Sequence, residues 1–274
     1  MTSEIINEPN QVYESCTMKP FDISKQITKK IYLEDQYLFN GDATVIYVEK
    51  IPAEDESESK KYFVVLDETL FYCKGGGQSG DIGIMKCGSD IFHVTNTCSH
   101  HENKHMVIHE GFFENNVFQV NDKIHMEVDE CFRLKNTRLH SAGHLLDQAM
   151  MKIGYHIPPS KGNHAIGQCY VEYLGVIPTE ERNTVIHKLQ HTCDELVEEA
   201  IPTVIEYLDP KDVPHDTSYL LPGEKARIVH VGGHVDYPCA GTHVRTTKEI
   251  GHIIIEKIKV KKGVTHISYT IEGI

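Results

Sequence analysis

Hydrophobic and polar positions follow different periods in the two halves of this 274-residue chain. From about residue 31 to 129, short runs rich in β-branched and aromatic residues recur at close intervals, among them "DATVIYVEKI", "KYFVVLDETLFY" and "DKIHMEVD". Such runs, separated by turn signals, are typical of β-strands. The first half is therefore expected to form a compact β-barrel or sandwich.

Beyond residues 129–133 the hydrophobic period becomes that of an α-helix. Apolar residues recur there at steps of three and four, which predicts an amphipathic helix. Asn136 or Thr137 is expected to cap its start, and Gly154 to end it. The apolar stripe consists of Leu139, Ala142, Leu146, Ala149, Met150 and Ile153.

The remainder of the second half mixes strands with another helix. A strand is expected over "QCYVEYLG" and a second helix at about 179–200. Further strands are predicted near 203–207, 226–231 and 251–271. The predicted fold class for the whole chain is α+β.

These patterns divide the chain into three parts. Residues 1–30 lack periodicity and are interpreted as an N-terminal extension. Residues 31–130 are interpreted as a Gly-rich β-barrel domain, and residues 131–274 as an α+β domain that carries the metal ligands described below.

Composition limits the classes of function. The formal net charge of −13 argues against a non-specific nucleic-acid coat, because affinity for phosphates comes mostly from Lys and Arg. Four lysines are concentrated in "EKIKVKKG" (256–263), either as a basic patch for a transient partner or as a solvated strand.

No apolar run reaches the length of a membrane span. The polar start is not a secretory signal and the eight scattered cysteines are not a disulfide framework, so a cytoplasmic location is expected.

Two short motifs carry ligands of the kind that bind metals. In "RLHSAGHLL", His140 and His144 stand one helical turn apart and point the same way. In "YPCAGTHV", Cys239 and His243 have the same spacing across a turn that Gly241 loosens. One Cys and three His make a complete tetrahedral set for Zn²⁺, so the two motifs are predicted to meet around one zinc ion.

Two other H-x-x-x-H pairs show that one such pair is a weak signal. His187 and His191 fall on the polar face of the second predicted helix and are expected at the surface. His230 and His234 lie in a strand-to-loop segment, either beside the metal site or in a polar loop.

A run of three glycines, Gly75, Gly76 and Gly77, interrupts the barrel pattern in "YCKGGGQSGDIG". The run permits positive φ and close backbone approach, so it forms either a hairpin turn or a loop around a ligand. Gln78, the next residue, is either an exposed turn residue or a polar group of the site.

Four motifs resemble, in sequence and in order, those of the editing domain of alanyl-tRNA synthetases and its free-standing AlaX relatives. They are the Gly-rich segment, the H-x-x-x-H helix, the C-x-G-T-H-V segment and the closing "EIGHIIIEKIKVKKGVTHISYTI". The likeness covers roughly residues 31–274. It implies a β-barrel followed by an editing domain of the threonyl/alanyl-tRNA synthetase second-additional-domain type. Since no ATP-binding synthetase core is found, it implies a stand-alone editor of the medium-length AlaX type.

The resemblance implies a hydrolase that deacylates mischarged aminoacyl-tRNA at the 3′-terminal adenosine. The expected substrate is Ser-tRNA(Ala), with Gly-tRNA(Ala) as a further one, and the expected partner is the acceptor end of tRNA, without a membrane or an obligate protein partner. Zinc would be held by His140, His144, Cys239 and His243, and His140, His144 and Thr242 are expected to act in catalysis. The expected substrate-binding residues are Gly75, Gly76, Gly77, Gln78, Gly143, Ser160 and Lys161.

Three positions depart from the family. Ala240 stands where glycine is usual, Gly143 where the synthetase domain commonly has threonine, and Ser160 where it has glutamine before Lys-Gly. The last two positions border the aminoacyl pocket in the family, so the amino acid that is removed stays open. Two alternatives stay open with it: an editor of another aminoacyl-tRNA, and a non-catalytic, zinc-stabilised tRNA-binding module.

The role of the zinc ion also has two interpretations. Four protein ligands favour an ion that orders the pocket, whereas a Lewis-acid zinc with bound hydroxide keeps one position open. A zinc peptidase is disfavoured, because HSAGH lacks the glutamate that serves as general base in HExxH. Lys161 and the lysines at 257–262 are expected to meet phosphates of the acceptor stem.

Overall fold

The computed structural model describes residues 21–52, 60–233 and 237–274. Most of the predicted N-terminal extension (residues 1–20) and His234 lie outside the described residues. Two large clusters of buried hydrophobic residues, one in each half of the chain, form the cores.

A closed antiparallel barrel occupies the first half of the chain. The strands of this half are β1 (Lys29–Lys30), β2 (Asn40–Lys50), β3 (Tyr62–Leu66), β4 (Glu68–Thr69), β5 (Gly83–Cys87), β6 (Asp90–Ser99), β7 (Val107–Phe113) and β8 (Lys123–Val128). Six of them close the barrel in the order β2-β3-β7-β6-β5-β8. Side chains such as Val45, Phe92 and Met126 fill the interior. Because successive side chains of a strand point to opposite faces, every second residue can enter this core.

Residues 21–30 pack against the barrel although their sequence shows no periodicity. The Asn103 side-chain amide donates hydrogen bonds to the carbonyls of Ile23 (2.6 Å) and Gln26 (2.7 Å). Strand β1 then pairs in parallel with β4. The described end of the predicted extension is therefore part of the barrel structure.

The second half contains two α-helices and two sheets. Its elements are α1 (Glu130–Lys152), β9 (Pro159–Asn163), β10 (Tyr170–Tyr173), α2 (Arg182–Glu198), β11 (Val204–Leu208), β12 (Ala226–His230), β13 (Tyr237–Pro238), β14 (Ile253–Lys261) and β15 (Val264–Ile271). Short 3₁₀ turns lie at Ile23–Lys25, Ile31–Leu33, Pro210–Asp212 and Thr247–Ile250.

Both helices of this half pack on a four-stranded sheet of order β14-β15-β10-β9, while β11, β12 and β13 form a separate sheet. The predicted apolar stripe of α1 lies in the hydrophobic core that the two helices form with the four-stranded sheet. The predicted fold class, a β-barrel followed by an α+β domain, is confirmed. Among the described residues, neither helix has the length and hydrophobicity that a membrane span requires.

Helix α1 begins earlier than its sequence predicts. Its N-cap is Asp129, whose carboxylate accepts a hydrogen bond from the Phe132 amide (2.9 Å), so the predicted caps Asn136 and Thr137 are wrong. Both of these residues lie inside the helix, where their side chains donate to backbone carbonyls four residues earlier. A polar side chain that bonds back to its own helix resembles a cap in sequence.

A buried ion pair joins the barrel to α1. Arg133, in the first turn of α1, donates from Nε to the Asp81 carboxylate (2.7 Å), and both side chains are fully buried. Its remaining hydrogen-bond donors reach the carbonyls of Gln36 (2.7 Å) and Leu70 (2.6 Å). Because these acceptors all lie in the first half, Arg133 fixes how α1, and the ligands it carries, lie relative to the barrel.

Candidate metal centre

The two predicted ligand motifs meet in space. His140 and His144 project from α1, and Cys239 and His243 from the segment after β13; their ligand atoms all lie within 4.8 Å of one another. The Cys239 sulfur lies 3.5 Å from His140 Nε2 and 3.6 Å from His243 Nε2. Tetrahedral zinc–sulfur and zinc–nitrogen bonds would place such atoms about 3.6 Å apart. The cluster therefore has the size of a metal-binding site.

Burial sets the protonation of the ligands. It is the main cause that lowers the pKa of His140 and His243 well below the usual range and that of His144 to about 3. All three imidazoles are therefore neutral near pH 7, as metal ligands must be. Burial also raises the pKa of the Cys239 thiol, opposed by the Gly241 amide and the Arg227 guanidinium. A metal ion would deprotonate this thiol outright.

Gln78 orients the first histidine. Its side-chain oxygen accepts hydrogen bonds from His140 Nδ1–H (2.7 Å) and from the Thr242 amide (3.1 Å). With the proton on Nδ1, His140 presents the lone pair of Nε2 toward Cys239. Gln78 is 1% exposed, so it is a buried polar group of the site and not an exposed turn residue.

Thr242 is the hydrogen-bond partner of the Gln78 side chain beside the metal cluster. Its hydroxyl accepts from Gln78 Nε2 (2.8 Å) and lies 2.6 Å from the Thr137 hydroxyl. Since Thr137 donates its own proton to the Arg133 carbonyl, Thr242 donates to Thr137, and its hydroxyl is fully used. In this structure Thr242 therefore holds the Gln78 side chain, and its expected role in catalysis stays a prediction.

The CAGTH segment is held in place from both halves of the chain. A Cβ at Gly241 would lie 2.0 Å from His140 Cε1, so any side chain there would displace the ligand. Ser141 accepts a hydrogen bond from the Val244 amide (3.0 Å), and Gln36 of the first half accepts one from the His243 amide (2.8 Å). These contacts explain how ligands a hundred residues apart are brought together.

A pocket of about 240 Å³ opens beside the cluster. Of the predicted substrate-binding residues, Gly76, Gly143, Ser160 and Lys161 line it. The other three are not among its lining residues: Gly75 and Gln78 close the turn by pairing with each other, and Gly77 accepts a hydrogen bond from the amide of His164. The lining also includes His140, His144, Asp147, Pro159, Gly162, His164, Val171, Pro238 and Cys239.

Comparison with known proteins identifies relatives of both halves. Residues 10–132 match the family described as tRNA synthetases class II (A), and residues 226–268 match the threonyl and alanyl tRNA synthetase second additional domain. The alanyl-tRNA editing protein AlaX-L of Pyrococcus horikoshii is 28% identical over 251 residues, which cover 89% of this chain and 58% of that protein.

This chain is similar to AlaX-type editing proteins over most of its length. The alanine–tRNA ligases of Leptospira borgpetersenii and Fervidobacterium nodosum are 28% and 30% identical to it over 79% and 74% of its length. The chain spans just over half of AlaX-L and about a quarter of each ligase. The second-additional-domain match includes Cys239 and His243, while the other two ligands lie outside it on α1.

His164 is a residue of the pocket wall that sequence reasoning missed. It follows β9 and lies flat against His140, with ring centroids 4.8 Å apart and planes 14° apart. The Tyr269 hydroxyl donates to the Leu139 carbonyl (2.8 Å) and therefore accepts from His164 Nδ1–H (2.6 Å). Burial lowers the pKa of His164 to about 4. The only signal in the sequence was its place three residues after Lys161.

Asp147 is a second residue that sequence reasoning missed. It lies on α1 one turn beyond Gly143 and lines the pocket. The Tyr173 hydroxyl donates to its carboxylate (2.7 Å), while burial raises its pKa to about 7. Its position four residues after Gly143 could have indicated that Asp147 borders the same pocket, because residues with this spacing lie on the same face of a helix.

Three histidines of the other two H-x-x-x-H pairs lie among the described residues, and none of them belongs to the metal cluster. His187 and His191 are exposed on α2, as predicted. His230 lies at the end of β12, where its Nε2 is 3.4 Å from the Glu206 carboxylate on β11.

Proposed function

We propose that this protein is an aminoacyl-tRNA deacylase that hydrolyses the ester between a wrong amino acid and the 3′-terminal adenosine of tRNA. Its proposed main substrate is Ser-tRNA(Ala), with Gly-tRNA(Ala) as a second one. The observation that carries the proposal is that His140, His144 and Cys239 form part of the wall of a pocket of amino-acid size. The AlaX-L protein, similar over 89% of this chain, is by its name an alanyl-tRNA editing protein.

Zinc is the metal that we propose for the cluster. One thiolate and three imidazoles are ligands that tetrahedral Zn²⁺ prefers. When bound there, zinc would supply Lewis-acid polarisation of an ester carbonyl or a water molecule. Because four protein ligands already complete a tetrahedron, ordering of the pocket walls is its main proposed contribution.

Selection of serine over alanine requires a polar partner for one hydroxyl group, since an apolar pocket separates such analogues poorly. His164 offers this partner. Tyr269 holds its Nδ1–H, which leaves Nε2 as a hydrogen-bond acceptor beside Gly162 in the pocket wall. In the proposed complex this nitrogen accepts a hydrogen bond from the serine hydroxyl.

The α-ammonium group of an aminoacyl ester is cationic near neutral pH and needs an acceptor. Asp147 is the acidic residue of the pocket lining. Its carboxylate is held by Tyr173, so it presents an oxygen in a fixed position. In the proposed complex Asp147 accepts hydrogen bonds from the ammonium group, and this orients the ester toward the metal cluster.

The experiment that tests the function is a panel of charged tRNAs incubated with the purified, zinc-analysed protein. Ser-tRNA(Ala), Gly-tRNA(Ala), Ala-tRNA(Ala) and several unrelated aminoacyl-tRNAs are compared with their spontaneous hydrolysis. The proposal expects rapid loss of the seryl ester, slower loss of the glycyl ester and little loss of the alanyl ester. No acceleration with any charged tRNA would refute the deacylase and leave the non-catalytic module.

Two variants separate the metal from general effects. His144→Ala should lose both bound zinc and deacylation, whereas His187→Ala, an exposed histidine at the same spacing in α2, should keep both. Metal content is measured by mass spectrometry beside the rate. Full activity of a verified zinc-free preparation would contradict the proposed dependence on the metal.

A third variant tests the selection of serine. His164→Ala should lose about 10- to 100-fold in kcat/KM with Ser-tRNA(Ala), as expected for one hydrogen bond to a substrate group, and clearly less with Gly-tRNA(Ala), which has no hydroxyl. Equal losses on the two substrates would contradict a hydrogen bond to the serine side chain.

A further inference from the structure

A second and larger cavity, of about 650 Å³, lies on the other side of Cys239. One wall comes from the N-terminal edge of the barrel and includes Lys30 and Lys104. The opposite wall comes from the second half and includes Tyr207, Tyr219 and Lys225. Cys239, one of the four residues of the metal cluster, lines both this groove and the 240 Å³ pocket.

The groove is basic although the chain as a whole carries a net charge of −13. Its two acidic side chains are already engaged: Glu34 pairs with Lys29 (3.2 Å), and Glu224 accepts a hydrogen bond from the Leu221 amide (2.8 Å). Lys30, Lys104 and Lys225 have no salt-bridge partner within the described part of the chain. Three lysines facing one cavity thus favour an anionic ligand.

Arg227 adds a second and independent sign of an anionic ligand. It is 8% exposed and lies where the groove reaches Cys239. Its Nη1 donates to the carbonyls of Cys239 (2.5 Å) and Gly241 (3.2 Å), but its Nε has no acceptor among the described residues. Its guanidinium therefore adds positive charge at the point where the groove reaches Cys239.

Two aromatic rings complete the groove. Tyr207 and Tyr219 are 50% and 52% exposed, and the Tyr207 hydroxyl donates to the Leu33 carbonyl (3.2 Å), which fixes the ring across the groove. Lysines that follow a backbone, together with exposed rings on which bases stack, are the chemistry of single-stranded nucleic-acid sites. A purely electrostatic phosphate site would not need the rings.

We propose that this groove binds the single-stranded 3′ end of tRNA and leads the terminal adenosine to Cys239. The inference rests on the proposed function, since it supplies the nucleic-acid side of the same ester. The amino acid enters the 240 Å³ pocket, which is too small for a polynucleotide, while the nucleotides occupy the 650 Å³ groove. The ester bond between them then lies at the metal cluster.

This assignment differs from the site that the sequence predicted for RNA phosphates. Lys257, Lys259 and Lys261 are exposed on β14, which is an edge strand of its sheet. They are not among the residues that line either the pocket or the groove. These lysines therefore provide a matched control with the same charge change at a different place.

The test measures binding of uncharged RNA by the full chain, so it does not depend on deacylation. The probe is an acceptor minihelix that ends in single-stranded ACCA, compared with a blunt minihelix without the overhang. Lys30→Ala/Lys225→Ala should weaken binding of the ACCA minihelix about tenfold or more and reduce the slope of log Kd against log salt by about 0.7 for each lost contact. Tyr219→Ala should weaken it about tenfold with little change in slope.

The control variant Lys257→Ala/Lys259→Ala should bind like the wild type, and all variants should keep their zinc content and thermal midpoint. With charged tRNA, the groove variants should raise KM more than they lower kcat. Three outcomes would overturn the groove: equal binding of blunt and ACCA minihelices, wild-type binding by the groove variants, or a loss confined to the β14 control. If the wild type binds the ACCA overhang through the groove but accelerates the hydrolysis of no charged tRNA, the proposed deacylase function is refuted. The proposal that the groove binds the 3′ end of tRNA is then still supported.

Discussion

The imidazole of His164 occupies the space that a side chain at residue 143 would need. A Cβ at Gly143 would lie 2.4 Å from His164 Cε1 and 2.7 Å from its Nδ1. Tyr269 holds the ring in this position through Nδ1. A side chain at residue 143, such as the threonine usual in the family, would therefore overlap the His164 ring unless one of the two shifts.

This exclusion predicts the outcome of a double substitution. Gly143→Thr alone should destabilise the fold by about 1–3 kcal/mol, because the new side chain overlaps a ring that is fixed by a buried hydrogen bond. Gly143→Thr in a His164→Ala background should cost clearly less, since the ring is gone. The free energy of unfolding in urea measures both. Equal costs of Gly143→Thr in the two backgrounds would contradict the steric link.

The metal centre provides a second prediction, through Gln78. Gln78→Ala removes the acceptor that holds His140 Nδ1–H, so the imidazole can rotate and change its tautomer. Loss of such a supporting contact lowers metal affinity about 10- to 100-fold. Competition with a chelator measures zinc affinity directly. The control is Gln168→Ala at an exposed position, which should leave zinc affinity unchanged.

Sequence and structure agree best where the information is local. The ligand pairs could be predicted, because a spacing of four residues on one helix or turn fixes each pair without knowledge of the fold. The burial of Gln78 could not be predicted, because it depends on how the barrel meets α1 through Arg133 and Asp81. His164 was missed for the same reason: its contacts with Gly143 and Tyr269 join distant segments.

Errors in the predicted elements also have physical causes. The start of α1 was placed too late because Asn136 and Thr137 look like caps but bond to carbonyls inside the helix. Strand β5 was not predicted, because "GIMKC" has a single β-branched residue and begins with glycine. Its place in the sheet comes from pairing on both sides with β6 and β8, which is a property of the closed barrel.

The joint between the two halves yields a stability prediction. Asp81→Asn leaves the fully buried Arg133 guanidinium without its counter-charge. Removing one partner of a buried pair costs about 3–5 kcal/mol. Urea unfolding should show this loss, and zinc affinity should fall as well, because Arg133 also holds the Gln36 backbone that supports His243. Asp212→Asn, at an exposed position, should change stability by less than about 0.5 kcal/mol.

Asp147 predicts a pH dependence of stability with a defined sign. Burial raises its pKa from the usual 3.8 to about 7 in the folded protein. Between these values the folded state holds a proton that the unfolded state has lost, so this group makes stability fall as pH rises from about 4 to about 7. Asp147→Asn cannot ionise and keeps an acceptor for the Tyr173 hydroxyl. Relative to wild type, this variant should therefore gain stability across that window and show no further gain above it.

The comparison of Asp147→Asn with wild type at each pH is essential, because the buried histidines act in the opposite direction. Their pKa values are lowered by burial, so the stability that they contribute is present above about pH 6.5 and is lost as pH falls. This contribution is common to both proteins and cancels in the difference of unfolding free energies. A difference that stays constant from pH 4 to pH 8 would show that the pKa of Asp147 is the same in the folded and unfolded states, which contradicts the raised pKa of the folded protein.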